Sequence, residues 1–329
     1  MELAADRNIC LSIIIPCYNE SENIDFLVNS LNNYFRENGH IKAEILFIDD
    51  ASEDDTSDRI KRAKHINYEP KLIKLAKNTG SHIAFRVGCL NSRYDLVTQT
   101  SADLQHPLNL INEMYLELKK GFHVVIALRK HQLRMGLFEK LLSKLYTQLI
   151  VKYAMPNYPE GGFDLFMIDG KIKKLFNDNV EANSSILLQL LSFGFRLGVV
   201  KYDKNDRKFG QSKWSFRKKL KLMIDSFVGY SYTPIRFVTL AGILIFLVGI
   251  FWTINIVLRK YIYQDVAQGW TALSCILLIG FGITNISIGI LAEYLWRTLD
   301  AARRRPVFII DDIVELPKYE INNDDLQTF

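Results

Sequence analysis

The strongest constraint on this chain is a pair of long uncharged apolar stretches, residues 237–258 and 266–292, joined by a connector at 259–265. Each is longer than the roughly 20 residues an α-helix needs to cross bilayer hydrocarbon. Runs such as LAGILIFLVGIFW are apolar on every face, and burying such helices on all sides takes a protein much larger than 329 residues. Two transmembrane helices are therefore expected, at about 237–258 and 268–292, forming a hairpin with both flanks on one side. Arg217, Lys218, Lys219, Lys221 and Arg236 precede it and Arg297, Arg303, Arg304 and Arg305 follow, against Arg259 and Lys260 in the connector. The positive-inside rule then predicts a multi-pass protein of the inner cell membrane, with the N-terminal part and both termini in the cytoplasm.

A chain that is 49% hydrophobic and 23% charged is too apolar to be disordered. Its formal charge of +5 is small, but the cations crowd at 213–221 and 297–305. The stretch WSFRKKLKLMIDSFVGYSY interleaves Trp214, Phe216, Leu220, Met223 and Phe227 with such cations, the composition of a helix lying in the headgroup layer. No recognition-helix, RRM or zinc-finger signature accompanies the basic patch, so no nucleic-acid partner is expected. Cys10, Cys17, Cys89 and Cys275 form no CxxC pair, which argues for a reducing compartment without a disulfide framework or zinc site. The start, MELAADRNIC, lacks the pattern of a cleavable signal.

Upstream of the hairpin, apolar runs of strand length at 11–15, 45–48, 72–75 and 96–98 alternate with helix-like stretches at 20–35, 56–64 and 81–92. That alternation predicts a mainly parallel sheet. Asn19, with Glu22 three residues on, is expected to cap the first helix, which puts the 16–20 loop at the carboxyl end of the first strand. Asp49 and Asp50 close the second strand, 78–80 follow the third and 101–105 the fourth, so four polar clusters converge on the rim where open α/β sheets bind ligands. Asp49, Asp50, Asp54 and Asp103 offer hard carboxylate oxygens, and Asn78 and Gln105 add amides, a set suited to Mg²⁺ or Mn²⁺ and to ribose or sugar hydroxyls. The segment DDASEDDT reads equally as a solvated turn and helix cap. Neither GxGxxG nor GxxxxGK[ST] occurs in this stretch, and no Ser-His-Asp or Cys-His arrangement is recognisable. His82, His106, His123 and His131 read as turn, surface or packing residues.

The ordered motifs IIIPCYNESENI, FIDDASEDDT, LAKNTGSHIAFRVG and SADLQHP resemble a family 2 glycosyltransferase with the GT-A fold. With YDKNDRKFGQSKW and the two apolar stretches, the chain is similar to the dolichyl/polyprenyl-phosphate branch. The resemblance implies that Pro16, Tyr18, Glu20 and Asp49 line the nucleotide, with Asp50 and Asn78 on the same rim, and that Asp103 and Gln105 bind a divalent metal on the diphosphate. It implies that Arg129, Arg207, Ser212 and Lys213 meet phosphate groups of donor and lipid acceptor. The implied reaction is a single displacement with inversion.

Three departures stand out. Ser101 occupies the first position of the family's D-x-D, leaving Asp103, and either keeps a weaker oxygen contact or holds a water. The sequence EGGFDL stands where related enzymes tend to show D-F-R-L, so Gly162 replaces an acid and Asp164 an arginine. Glu160 and Asp164 remain candidate catalytic acids near the acceptor, alongside Asp103; either orients the sugar or acts as a base, or the two glycines have a structural reason. Lys204 fills a position often held by arginine. These changes fit a subfamily with a different sugar or altered metal use, or a degenerate member.

The expected organisation is α/β: a GT-A domain at 1–212 with a Rossmann-like, mainly parallel sheet, interfacial helices at 213–234, two spans within 235–296, and a tail at 297–329 read as a flexible end from 311. The expected function is transfer of a hexose or N-acetylhexosamine from a UDP- or GDP-sugar to a polyprenyl phosphate at the cytoplasmic face. Transfer to another glycolipid, or a non-catalytic sugar-nucleotide-binding scaffold, are the alternatives. The sugar, the metal dependence and self-association stay open.

Overall fold

The computed structural model describes residues 9–130, 155–159, 162–179, 185–205, 270–303 and 306–319, with scattered positions in 144–152 and 240–262. Glu160, Arg207, Ser212, Lys213, the interfacial stretch and nearly all of the first expected span lie outside the described residues. The chain divides into two compact units, Met1–Gln148 with Asn157–Phe216 and Pro306–Phe329, and Leu149–Pro156 with Arg217–Arg305.

The first unit begins β1 (Ile9–Cys17), α1 (Ser21–Glu37), β2 (Ile41–Asp49), α2 (Thr56–Arg62), β3 (His65–Ile66), β4 (Glu69–Leu75), α3 (Ser81–Asn91) and β5 (Leu96–Gln99). It continues α4 (Leu110–Leu118), β6 (Val124–Arg129), β7 (Leu165–Ile168), α5 (Gly170–Asp178), α6 (Ile186–Ser192) and β8 (Leu197–Tyr202). The four expected strands and three expected helices are all present. β2 begins four residues before its apolar run because Glu44 is tolerated inside: its carboxylate accepts the Ser12 hydroxyl at 2.8 Å and the Arg93 backbone N–H at 2.8 Å, and lies 3.6 Å from Lys71 Nζ.

Eight strands form one sheet in the order β8-β6-β7-β5-β1-β2-β4-β9, where β9 is Ile310–Glu315. The pairs β1·β2, β1·β5, β2·β4 and β6·β8 are parallel, while β7 runs antiparallel between β5 and β6. The sheet is mainly parallel, as the alternation predicts. The core lies where β1, Leu11, Ile13 and Ile15 foremost, meets Ile24, Leu27 and Leu31 of α1.

The tail departs from the flexible end expected from 311. β9 pairs antiparallel with β4, setting Ile313 opposite Ile73 and Val314 opposite Leu72, and β10 (Lys318–Tyr319) adds to β3. Mixed apolar and acidic residues in IDDIVE show no clean alternation, yet β4 would otherwise present an unpaired edge.

The described part of the second unit is dominated by α7 (Trp270–Arg303), 34 residues long. Phe281, Ile286, Leu295 and Trp296 are 66, 63, 68 and 55% exposed along it. Among the described residues no helix is long and apolar enough to cross a membrane. Several side chains of α7 fall outside the described set, as does most of the first stretch.

Candidate active site

β1 sits between β5 and β2; the chain steps from β1 through β2 to β4 on one side, then returns to the other side with β5. The loops leaving β1 and β5 diverge at this reversal, and such a crevice is where open α/β sheets hold ligands. Of four non-glycine residues with positive φ among the described residues, three stand on this rim: Asn19 at 50°, Ala51 at 59° and Leu104 at 49°. Left-handed backbone at such residues persists only where surrounding bonds enforce it.

The bonds are visible. Ser52 Oγ accepts the Asn19 N–H at 3.0 Å, Asn19 Oδ1 accepts the Glu53 N–H at 2.8 Å and Thr56 Oγ1 accepts the Glu20 N–H at 2.8 Å. Asn19 is therefore a tie between loops. Glu20, not Asn19, stands at the N-cap of α1, with no side-chain cap bond.

The acidic cluster belongs mainly to the same scaffold. Asp49, 1% exposed, accepts the Ser52 N–H at 2.9 Å and the Ser57 hydroxyl. Asp50 accepts the Thr79 N–H at 2.7 Å, the Thr79 hydroxyl at 2.8 Å and the Gly80 N–H at 2.7 Å. Burial pushes the Asp50 carboxyl up, against the Thr79 and Gly80 bonds that favour its charge. For Asp54 burial also acts upward, but bonds from Thr56 and Ser21 outweigh it and hold the carboxyl below its usual range. Read from sequence as a supply of metal ligands, these three acids are engaged within loops. Asn78 lies in the turn that Asp50 anchors, and Pro16, Tyr18 and Glu20 flank the crevice at the end of β1.

Across the reversal, Asp103 is 6% exposed in a loop fixed to β1 by the Thr100 N–H on the Ile14 carbonyl at 3.0 Å. Its Oδ1 accepts the Gln105 N–H at 3.3 Å, and Ser101 Oγ lies 3.3 Å from His106 Nδ1. Among the described residues no three His, Cys, Asp or Glu groups gather as a metal site. A single buried carboxylate beside Gln105 fits an Mg²⁺-like ion whose remaining ligands are waters and substrate phosphates.

Because β7 is antiparallel, Asp164 at its start lies on the same rim as the ends of β6 and β8. The Arg129 guanidinium hydrogen-bonds the Asp164 carboxylate, Tyr202 Oη donates to it at 3.0 Å, His106 Nε2 lies at 3.4 Å and Lys204 Nζ at 3.9 Å. Burial alone would raise the Asp164 carboxyl, but His106 and Arg129 outweigh it and hold it far below the carboxylate range. A carboxylate paired in this way with Arg129 and Tyr202 is suited to orienting these side chains. Gly162 has a structural reason: its φ is +67°, and a Cβ there would meet Tyr158 Oη at 3.0 Å. The Asn205 N–H on the Gln105 carbonyl at 3.0 Å joins this cluster to the Asp103 loop. Sequence reasoning gave Tyr202 no role; the signal was its place as the first residue of YDKND, at the carboxyl end of β8.

Two histidines keep to structural surroundings: His65 is buried between Tyr68 Oη at 2.9 Å and the Ile60 carbonyl at 2.8 Å, and His123 lies 2.6 Å from Asp169. His131 lies outside the described residues.

Residues 12–176, half of the chain, match the family model described as "Glycosyl transferase family 2". The chain is 28% identical over 304 residues to the "Uncharacterized glycosyltransferase YkcC" of Bacillus subtilis, covering 92% of this chain and 94% of that protein. It is 27% identical over 318 residues to an "Undecaprenyl-phosphate 4-deoxy-4-formamido-L-arabinose transferase" of Klebsiella pneumoniae, covering 96% and 97%. A GT-A type sheet, a polar rim at its topological reversal and a family match that covers most of β1 and all of β2 to β7 agree: the chain belongs to glycosyltransferase family 2 and is a glycosyltransferase.

Proposed function

We propose that this enzyme transfers a sugar, with inversion, from a UDP- or GDP-sugar to a polyprenyl phosphate at the cytoplasmic face of a membrane. The observation that carries the reading is one rim holding the Asp103 loop and the Arg129, Tyr202 and Lys204 cluster, tied together through Asn205. The relative that acts on undecaprenyl phosphate, similar over nearly all of both chains, supports the same acceptor class.

In this reading Pro16, Tyr18, Glu20, Asp49, Asp50 and Asn78 border the nucleotide, Asp49 and Asp50 mainly by fixing the loops. Asp103 and Gln105 would hold a divalent ion, which when bound offsets the charge developing on the leaving nucleoside diphosphate. Arg129, with Arg207, Ser212 and Lys213 farther along the chain, binds and orients the acceptor's phosphate. That phosphate oxygen is already anionic, so the attack on the anomeric carbon needs positioning more than a strong base. The pairing of the Asp164 carboxylate with Arg129 and Tyr202 fits that requirement.

Membrane anchoring rests on the two apolar stretches and on the exposed apolar side chains of α7. The chain leaves the first unit before 217 and rejoins it at Pro306. A folded unit lies on one side of a bilayer, so this return supports an even number of crossings, as a hairpin has.

The test incubates detergent-purified full chain with labelled UDP-Glc, UDP-GlcNAc, UDP-Gal or GDP-Man and undecaprenyl phosphate, with and without Mn²⁺. A lipid-linked labelled sugar is expected from one donor; none from any donor would overturn the proposal.

A further inference from the structure

We propose that Asp164 is a positioning residue that draws Arg129, Tyr202 and Lys204 into a fixed clamp for the acceptor's phosphate; this rests on the acceptor reading above. The four side chains come from four places, the residue before β7, the end of β6, the end of β8 and the segment after β8. Arg and Lys side chains carry high rotamer entropy, and a common carboxylate partner restricts them before any ligand arrives.

Asp164 is itself well fixed. Its carbonyl accepts Gln99 Nε2 at 2.7 Å, and two residues before it the Gly162 N–H bonds the Pro159 carbonyl at 3.1 Å. The carboxylate meets Arg129 through one guanidinium nitrogen and Tyr202 through its other oxygen. A guanidinium has five N–H donors, so one held this way still offers donors to a phosphate. Arg129, Lys204 and Asp164 keep side-chain exposures of 29, 17 and 34%, open enough for an anionic headgroup to reach. Two cations around one carboxylate leave these three residues with a net positive charge, so a phosphate is attracted and not merely tolerated.

The cluster also sets distance to the donor. The Asn205 N–H on the Gln105 carbonyl and Asn205 Nδ2 on the Leu104 carbonyl at 3.3 Å join the segment that carries Lys204 to the Asp103 loop. Where the resembled enzymes tend to place an arginine just before β7, this chain carries Asp164, which holds Arg129 of the neighbouring strand β6.

The test compares wild-type full chain, Asp164→Asn, Asp164→Glu and Tyr202→Phe for initial rates against both substrates. Asp164→Asn is expected to raise the acceptor KM about tenfold, the loss of roughly one charge-assisted hydrogen bond, with donor KM within about twofold. Asp164→Glu is expected to recover part of the loss, and Tyr202→Phe to raise the acceptor KM about two- to threefold. An unchanged acceptor KM overturns the proposal, as does a fall in kcat with loss of the acidic limb of the pH profile, which would mark a base. If Asp164→Asn does not fold, Tyr202→Phe decides alone, an unchanged acceptor KM again overturning the clamp. Calorimetric binding of farnesyl phosphate separates the two readings. Weaker binding by Asp164→Asn supports the clamp even if wild type transfers to no polyprenyl phosphate, and equal binding overturns it.

Discussion

The Asp50 carboxylate accepts the backbone N–H of Gly80 at 2.7 Å, fastening the end of β2 to the turn that opens α3. Thr79 gives the same carboxylate two more bonds, so one buried acid fixes the position of the 78–80 segment against the crevice. Asp50→Ala leaves two backbone N–H groups and a hydroxyl without this acceptor and is expected to cost about 2–3 kcal/mol. Urea unfolding checks the stability, and sugar-nucleotide binding by the folded fraction should weaken as the turn loosens.

Gly88 on α3 packs directly on β1: a Cβ there would approach Ile14 Cγ2 at 2.5 Å and Cγ1 at 2.8 Å. Ile14 is fully buried and β-branched, so it has little room to turn away. Gly88→Ala is expected to destabilise by about 1–3 kcal/mol despite its better helix propensity, read as a lower urea midpoint at unchanged slope.

The parallel half of the fold was legible because its signals are local. β1, β2, β4 and β5 are short apolar runs with polar ends, and their carboxyl ends name the rim without knowledge of strand order. What the acids do there was not legible, since Asp49 and Asp50 look alike as ligands and as loop anchors until the donors from Ser52, Ser57, Thr79 and Gly80 are seen. The tie between Arg129 and Asp164 spans 35 residues and depends on β7 running antiparallel, which four residues of LFMI do not encode. β9 joins β4 from more than 200 residues away, so its pairing has no local pattern to betray it.

That late strand leads to the third prediction. Val314 packs against the core from the outer strand, and the Leu316 N–H bonds the Pro70 carbonyl at 3.3 Å. A chain ending at Arg305 should expose the edge of β4, lowering the thermal midpoint and raising the aggregated fraction in size-exclusion chromatography. Val314→Asp keeps the full length and should move the midpoint in the same direction, which separates loss of this pairing from loss of chain.

His82 gives the fold a pH dependence. Burial pushes its imidazole down to about 4 from the ordinary value of 6.5. The folded state therefore keeps it neutral while the unfolded chain binds a proton below about 6.5, so stability falls as pH drops through that window. His82→Gln should flatten the urea midpoint between pH 7 and pH 5 relative to wild type. Asp164 acts lower: its carboxyl is depressed when folded, so its contribution is present above the ordinary carboxylate range and is lost only as pH falls below it.

Ser101 tests the metal reading without relying on turnover. Its hydroxyl faces His106 Nδ1 at 3.3 Å, two residues before the buried Asp103 carboxylate. Ser101→Asp places a second carboxylate in the Asp103 loop, and each added negative ligand favours a divalent ion. Without metal the two like charges repel, so the variant should unfold at a slightly lower temperature than wild type. Mn²⁺ should restore that loss, with half-saturation at roughly tenfold lower concentration than for wild type. Should Mn²⁺ raise the unfolding temperature of both proteins equally over the same titration, the ion binds elsewhere and Asp103 is not its anchor.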